Sequence, residues 1–124
     1  MKQPLALLLY EKLLPAGQLV NRMQDLGYRV QPVPAPADLQ TTAERETPML
    51  AFVDLEPRFD AMCGAIAALR QAANTAHVPV IAFASQQNDA AHQKARAAGA
   101  TLVVNDSALL AHLNQFLDQA LHVD

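Results

Sequence analysis

The chain has 124 residues, 52% of them apolar, and a net charge of −3 at pH 7. That length suits one domain with a real core. Its mild acidity, with nine Lys and Arg scattered and forming no basic run, argues against nucleic acid or an anionic membrane as partner, since both reward basic patches.

The start, "MKQPLALLLYEK", superficially suggests a signal peptide. Its apolar run from Leu5 to Tyr10 is short and is stopped by Glu11 and Lys12, so it reads instead as a strand buried on both faces. "LPAGQLVNRMQDLG" follows, with Pro15 in a first helical turn. Leu19, Met23 and Leu26 form one stripe, and Gly27 is the stop. "YRVQPVP" is a short strand whose prolines suit a sheet edge. "PADLQTTAERE" is a short, weak helix.

Met49 to Val53 is the third strand, and it delivers Asp54 at its carboxyl end. "FDAMCGAIAALRQAAN" is a helix in which Met62, Ile66 and Leu69 share a face. "VPVIAFAS" is the fourth strand. "QNDAAHQKARAAG" is a helix capped by Asn88 or Asp89 and stopped by Gly99. "ATLVV" is the fifth strand. "DSALLAHLNQFLDQAL" is one last helix, capped by Asp106 or Ser107, with a wide leucine stripe from Leu109 to Leu121.

The order is strand then helix, five times, with no linker. Buried strands alternating with amphipathic helices imply a parallel sheet covered on both faces. The expected fold class is α/β, flavodoxin-like and doubly wound, with five parallel strands in the order 2-1-3-4-5. In such a sheet the crevice lies outside the carboxyl ends of strands 1 and 3. Glu11 and Asp54 are then expected to face each other there, with Asp54 kept ionised by a wet sheet edge.

Two residue types carry little chemistry. Cys63, the one cysteine, cannot form an internal disulfide and reads as a small core filler. Histidines 77, 92, 112 and 122 show no pair at ligand spacing, which disfavours zinc. The four glycines are isolated, so there is no phosphate loop. No approximately 20-residue apolar span is present, and a cytoplasmic, non-enzymatic protein is expected.

Over nearly its full length the chain resembles the receiver domain of two-component response regulators. "LLLYEK" stands at the first strand and its acidic pair, and "AFVDLEP" at the strand carrying the phosphoacceptor. "VPVIAFAS" stands at the strand that ends in a hydroxyl, and "ARAAGATLVVND" at the fourth helix and fifth strand. The resemblance implies Asp54 as phosphoacceptor. It also implies weak Mg²⁺ binding by Glu11, Asp54 and the backbone carbonyl of Glu56.

Departures fall at the switch positions. Tyr10 replaces one acid of the pair. Ala84 stands where the hydroxyl belongs, beside Ser85. Asn105 takes the lysine position, with Asp106 in place of proline, and Leu102 takes the aromatic position. In the loop "LEPRFD", Pro57 comes one residue early. Lys12 and Arg58 flank the crevice as substitute cations.

The resulting expectation is a stand-alone atypical receiver, a pseudo-receiver spanning residues 1–124 with no output domain. It acts as a protein-interaction module in bacterial two-component signalling with weak or absent phosphorylation. Its partners are expected to be a histidine kinase or a downstream signalling protein. The face of the fourth helix, fifth strand and last helix would bind them or support a homodimer. The alternatives are a working single-domain receiver phosphorylated on Asp54 by a histidine kinase and, with less support, a small flavodoxin-like ligand-binding protein.

Overall fold

A computed structural model describes residues 4–121 except 12, 57 and 86. Lys12, Pro57 and His122, named above, lie outside the described residues. The strands are β1 (Leu5–Leu9), β2 (Arg29–Val33), β3 (Leu50–Asp54), β4 (Val80–Ala84) and β5 (Leu102–Asn105). The helices are α1 (Leu13–Asp25), α2 (Leu39–Glu46), α3 (Phe59–Gln71), α4 (Asp89–Ala98), α5 (Asp106–Ala111) and α6 (Leu113–Leu121). A single 3₁₀ turn, Pro36–Asp38, leads into α2.

The five strands are all parallel, in the order β2-β1-β3-β4-β5, as the sequence pattern predicts. The alternation of side chains along each strand divides the core in two. Leu5, Leu7, Leu9, Ala51, Val53, Val80 and Ala82 face α2, α3 and α4, against Met62, Ile66, Leu69 and Ala95. Ala6, Leu8, Leu50, Phe52, Ile81 and Phe83 face α1, α5 and α6, against Leu19, Met23, Leu109, Leu113 and Leu117. Continuous apolar strands are needed because both faces are covered. Each fully buried Leu or Phe contributes roughly 1.5–3 kcal/mol. β2 lies at an edge, where Pro32 and Pro34 leave no interior ladder donor missing.

Four local expectations are corrected. The third strand runs Leu50–Asp54, one residue later than read, and Met49 is 47% exposed. Leu26 leaves the α1 stripe: the helix ends at Asp25, and the turn at Gly27, with φ of 91°, carries Leu26 outward to 42% exposure. The last helix is two helices, because His112 adopts φ −127° and ψ 35°. The ladder still bridges the break through Phe116 N–H to the His112 carbonyl, at 3.2 Å. Asn105, rather than Asp106 or Ser107, is the residue before α5, since β5 passes into the helix with no loop. Asn88 caps α4 and Gly99 ends it with φ of 108°, as expected.

At the amino end of the sheet, Arg70 joins three segments. Its Nε donates to the Gly99 carbonyl at 2.7 Å and its Nη2 to Thr101 Oγ1 at 3.0 Å, while Nη1 donates to the carbonyls of Ala76 and Val78. Thr101 Oγ1 also accepts from Val80 N–H at 3.0 Å. Among the described residues no helix is long and apolar enough to cross a membrane.

Candidate functional site

Parallel register places the ends of the strands together. Leu9 pairs with Val53, Asp54 with Phe83, and Ala84 with Asn105. Glu11, Asp54, Glu56, Ser85 and Asn105 therefore collect at one carboxyl edge, as the sequence order implies. The structure decides how each is held.

Asp54 is fully buried, which corrects the expected wet edge. The strand runs through Asp54 itself, and Leu55, also fully buried, continues the pairing by donating to the Phe83 carbonyl at 2.9 Å. Asp54 Oδ1 accepts the Glu56 N–H at 3.1 Å. This closes the loop back on its own acid, an arrangement that suits a carboxylate.

Glu11 is exposed and turns to Arg58. Arg58 Nε donates to Glu11 Oε1 at 2.7 Å, and Nη2 contacts the same oxygen. The contact holds the Arg58 pKa above its usual range, first through the hydrogen bond and then through the charge of Glu11. Arg58, expected from the sequence to flank the crevice, reaches the acid edge.

Glu56 was singled out for its carbonyl, but its side chain does more. Oε1 accepts from Ser85 N–H at 3.2 Å, and Oε2 accepts from Ser85 Oγ at 3.2 Å and Asn88 Nδ2 at 3.0 Å. Asn88 Oδ1 accepts from Ala91 N–H at 3.2 Å in the first turn of α4. His92 Nε2 lies 3.1 Å from the Ser85 carbonyl; a carbonyl only accepts, so this nitrogen carries the proton. In the sequence, Asn88 reads as a helix cap and Ser85 as the neighbour of the expected hydroxyl position. The available signal was two side-chain donors within four positions of the strand end, opposite an acid.

Ala84 is fully buried, and Leu102 and Asn105 are half-buried. Leu102 packs on the core face shared with Ile81 and Phe83. Cys63 is buried in the other half of the core, and burial pushes its thiol pKa up. Among the described residues, no group of three His, Cys, Asp or Glu could hold a metal ion.

The donors implied for Mg²⁺ fit it poorly. Octahedral Mg²⁺ wants accessible oxygen ligands and retains several waters. Here one carboxylate is fully buried and the other already faces a guanidinium.

No protein-family model and no curated protein matches the sequence. Solved structures do. A candidate response regulator from Chloroflexus aurantiacus J-10-fl matches at TM-score 0.86 and 17% identity, covering 97% of this chain and 98% of that one. The receiver domain of a sensor histidine kinase from Pseudomonas aeruginosa PAO1, solved with a magnesium ion in its active-site cleft, matches at 0.84 and 20%, covering 97% and 98%. The signal receiver domain of a modulated diguanylate cyclase from Desulfovibrio desulfuricans G20 matches at 0.78 and 22%, covering 98% and 95%. The chain has the receiver-domain fold over nearly its whole length.

Proposed function

We propose that this chain is an atypical receiver in two-component-type signalling, working as a protein-interaction module rather than an enzyme, with phosphorylation of Asp54 weak or absent. The observation that carries the reading is the ion pair of Arg58 with Glu11 beside a fully buried Asp54. Phosphoryl transfer depends on positioning and on neutralising charge. At this edge the acid implied for metal binding is already neutralised by the protein's own cation. Tyr10 stands where a second acid would add charge, and neither Ala84 nor Asn105 supplies a cation or a strand-end hydroxyl.

The partner is a protein, either a histidine kinase or a downstream signalling protein. It meets the face made by α4, β5, α5 and α6, where β5 is a half-buried edge strand. Any Mg²⁺ binding at Asp54, Glu11 and the Glu56 carbonyl is weak, because Asp54 is buried and Glu11 already faces Arg58. A second reading, a working receiver phosphorylated on Asp54 by a histidine kinase, draws on the position of Asp54 at the end of β3 and on the nearby Ser85 hydroxyl.

Incubation with a small-molecule phosphoryl donor and Mg²⁺, followed by intact mass, separates the two. No lasting 80-Da adduct is expected. An adduct that forms in wild type and disappears in Asp54→Asn would establish the second reading.

A further inference from the structure

One carboxylate, that of Glu56, holds both ends of the β4–α4 turn, at Ser85 and Asn88. It takes the Ser85 N–H, the Ser85 hydroxyl and the Asn88 amide together. Asn88 then caps α4 through Ala91, and the Ser85 carbonyl takes His92. The contact spans 29 to 32 residues of chain, so it ties the loop after β3 to the start of α4.

Hydrogen bonds to an ionised acceptor are roughly twice as strong as neutral ones. This acceptor is also tethered. It loses no translational freedom each time it engages, whereas an external anion does, and so the tethered group holds the advantage of high effective concentration. A phosphoryl group on Asp54 would bring a charge of roughly −1.5 to −2 to a place two residues from a carboxylate that already holds these donors.

We propose that Glu56 is a resident anion that sets the β4–α4 turn permanently, so that α4 presents one fixed surface to a partner whatever the chemical state of Asp54. This deepens the functional reading and rests on it only for the existence of a partner. The turn itself is tested without partner, metal or phosphoryl donor.

The experiment is amide hydrogen exchange and amide shifts on the full chain for wild type, Glu56→Ala, Glu56→Gln and Asp54→Asn. In Glu56→Ala, exchange at Ser85 and Ala91 is expected to rise about tenfold or more, with shifts running from Asn88 to His92. Glu56→Gln keeps the length without the charge and should give a smaller rise in the same places. Asp54→Asn should leave these amides within about twofold of wild type.

Unchanged exchange at Ser85 and Ala91 in both Glu56 variants would overturn the proposal. So would an Asp54→Asn effect as large as that of Glu56→Ala, since the turn would then follow Asp54. Should Glu56→Ala fail to fold, the comparison of Glu56→Gln with Asp54→Asn decides alone. A failed signalling reading would leave these exchange rates untouched.

Discussion

Arg58 and Glu11, 47 residues apart in the chain, form a hydrogen-bonded ion pair across the carboxyl edge of the sheet, with Nε 2.7 Å from Oε1. The pair places a fixed positive charge where an acid edge would otherwise attract a cation. It is exposed, so its effect on stability is small. Its effect on local potential is what matters.

Arg58→Gln should therefore strengthen Mg²⁺ binding. Titration followed by amide shifts at Glu11, Leu55 and Glu56 should show affinity a few-fold tighter than wild type, with the thermal midpoint nearly unchanged. Equal or weaker binding would show that Arg58 is not what limits the site.

The cluster around Arg70 predicts stability. Arg70→Ala removes contacts to Gly99, Ala76, Val78 and Thr101, and should cost roughly 2–4 kcal/mol in urea unfolding, because bonds involving a charged group are the stronger class. Arg70→Lys should recover little, since a point charge cannot reproduce the guanidinium fork. Gly99→Ala should also destabilise. Gly99 has φ of 108°, and a Cβ there would meet Arg70 Cγ at 2.8 Å. The two substitutions share one contact, so their effects should not add.

Alkaline pH should destabilise the fold. Burial raises the Cys63 thiol above its ordinary 9.0, and burial and then Asp118 raise the Tyr28 phenol above its ordinary 10.0. Above those values the unfolded chain has lost protons that the folded chain still holds, so stability falls as pH rises. The loss should begin as pH passes the thiol value and deepen past the phenol value. Urea midpoints at about pH 7 and about pH 10.5 measure it. Tyr28→Phe and Cys63→Ala should each make the fall shallower, and an unchanged slope in both would rule out these two groups as its cause.

Partner binding should depend on the surface rather than on the buried acid. Once a partner is captured by pull-down, Asp54→Asn should leave its affinity nearly unchanged. Charge reversal at the exposed Asp118, or a bulky residue at the exposed Gln115, should weaken it by about tenfold or more, as expected for a change within an interface. Circular dichroism confirms folding of each variant. Loss of binding in a folded Asp54→Asn would show that Asp54 governs the output.

The strand order, both core faces and the placement of Glu11 and Asp54 at one sheet edge were legible in the amino-acid sequence alone. Apolar runs such as Leu5–Leu9 and Leu50–Val53, and stripes such as Met62, Ile66 and Leu69, are local patterns. Right-handed crossovers between parallel strands leave few ways to join them. What each acid does at that edge was not legible. Glu11 could equally be a metal ligand or a solvated loop acid until the fold brought Arg58 onto it. Glu56 was only a backbone carbonyl until its side chain met Ser85 and Asn88 from another strand's loop. The wet edge expected for Asp54 failed for the same reason: whether a strand end is buried depends on what the rest of the chain packs onto it, not on the pattern within the strand. Periodicity reports which way a residue faces within its own element. The partner of a polar group is chosen by residues tens of positions away, and only the tertiary structure brings them within hydrogen-bonding distance.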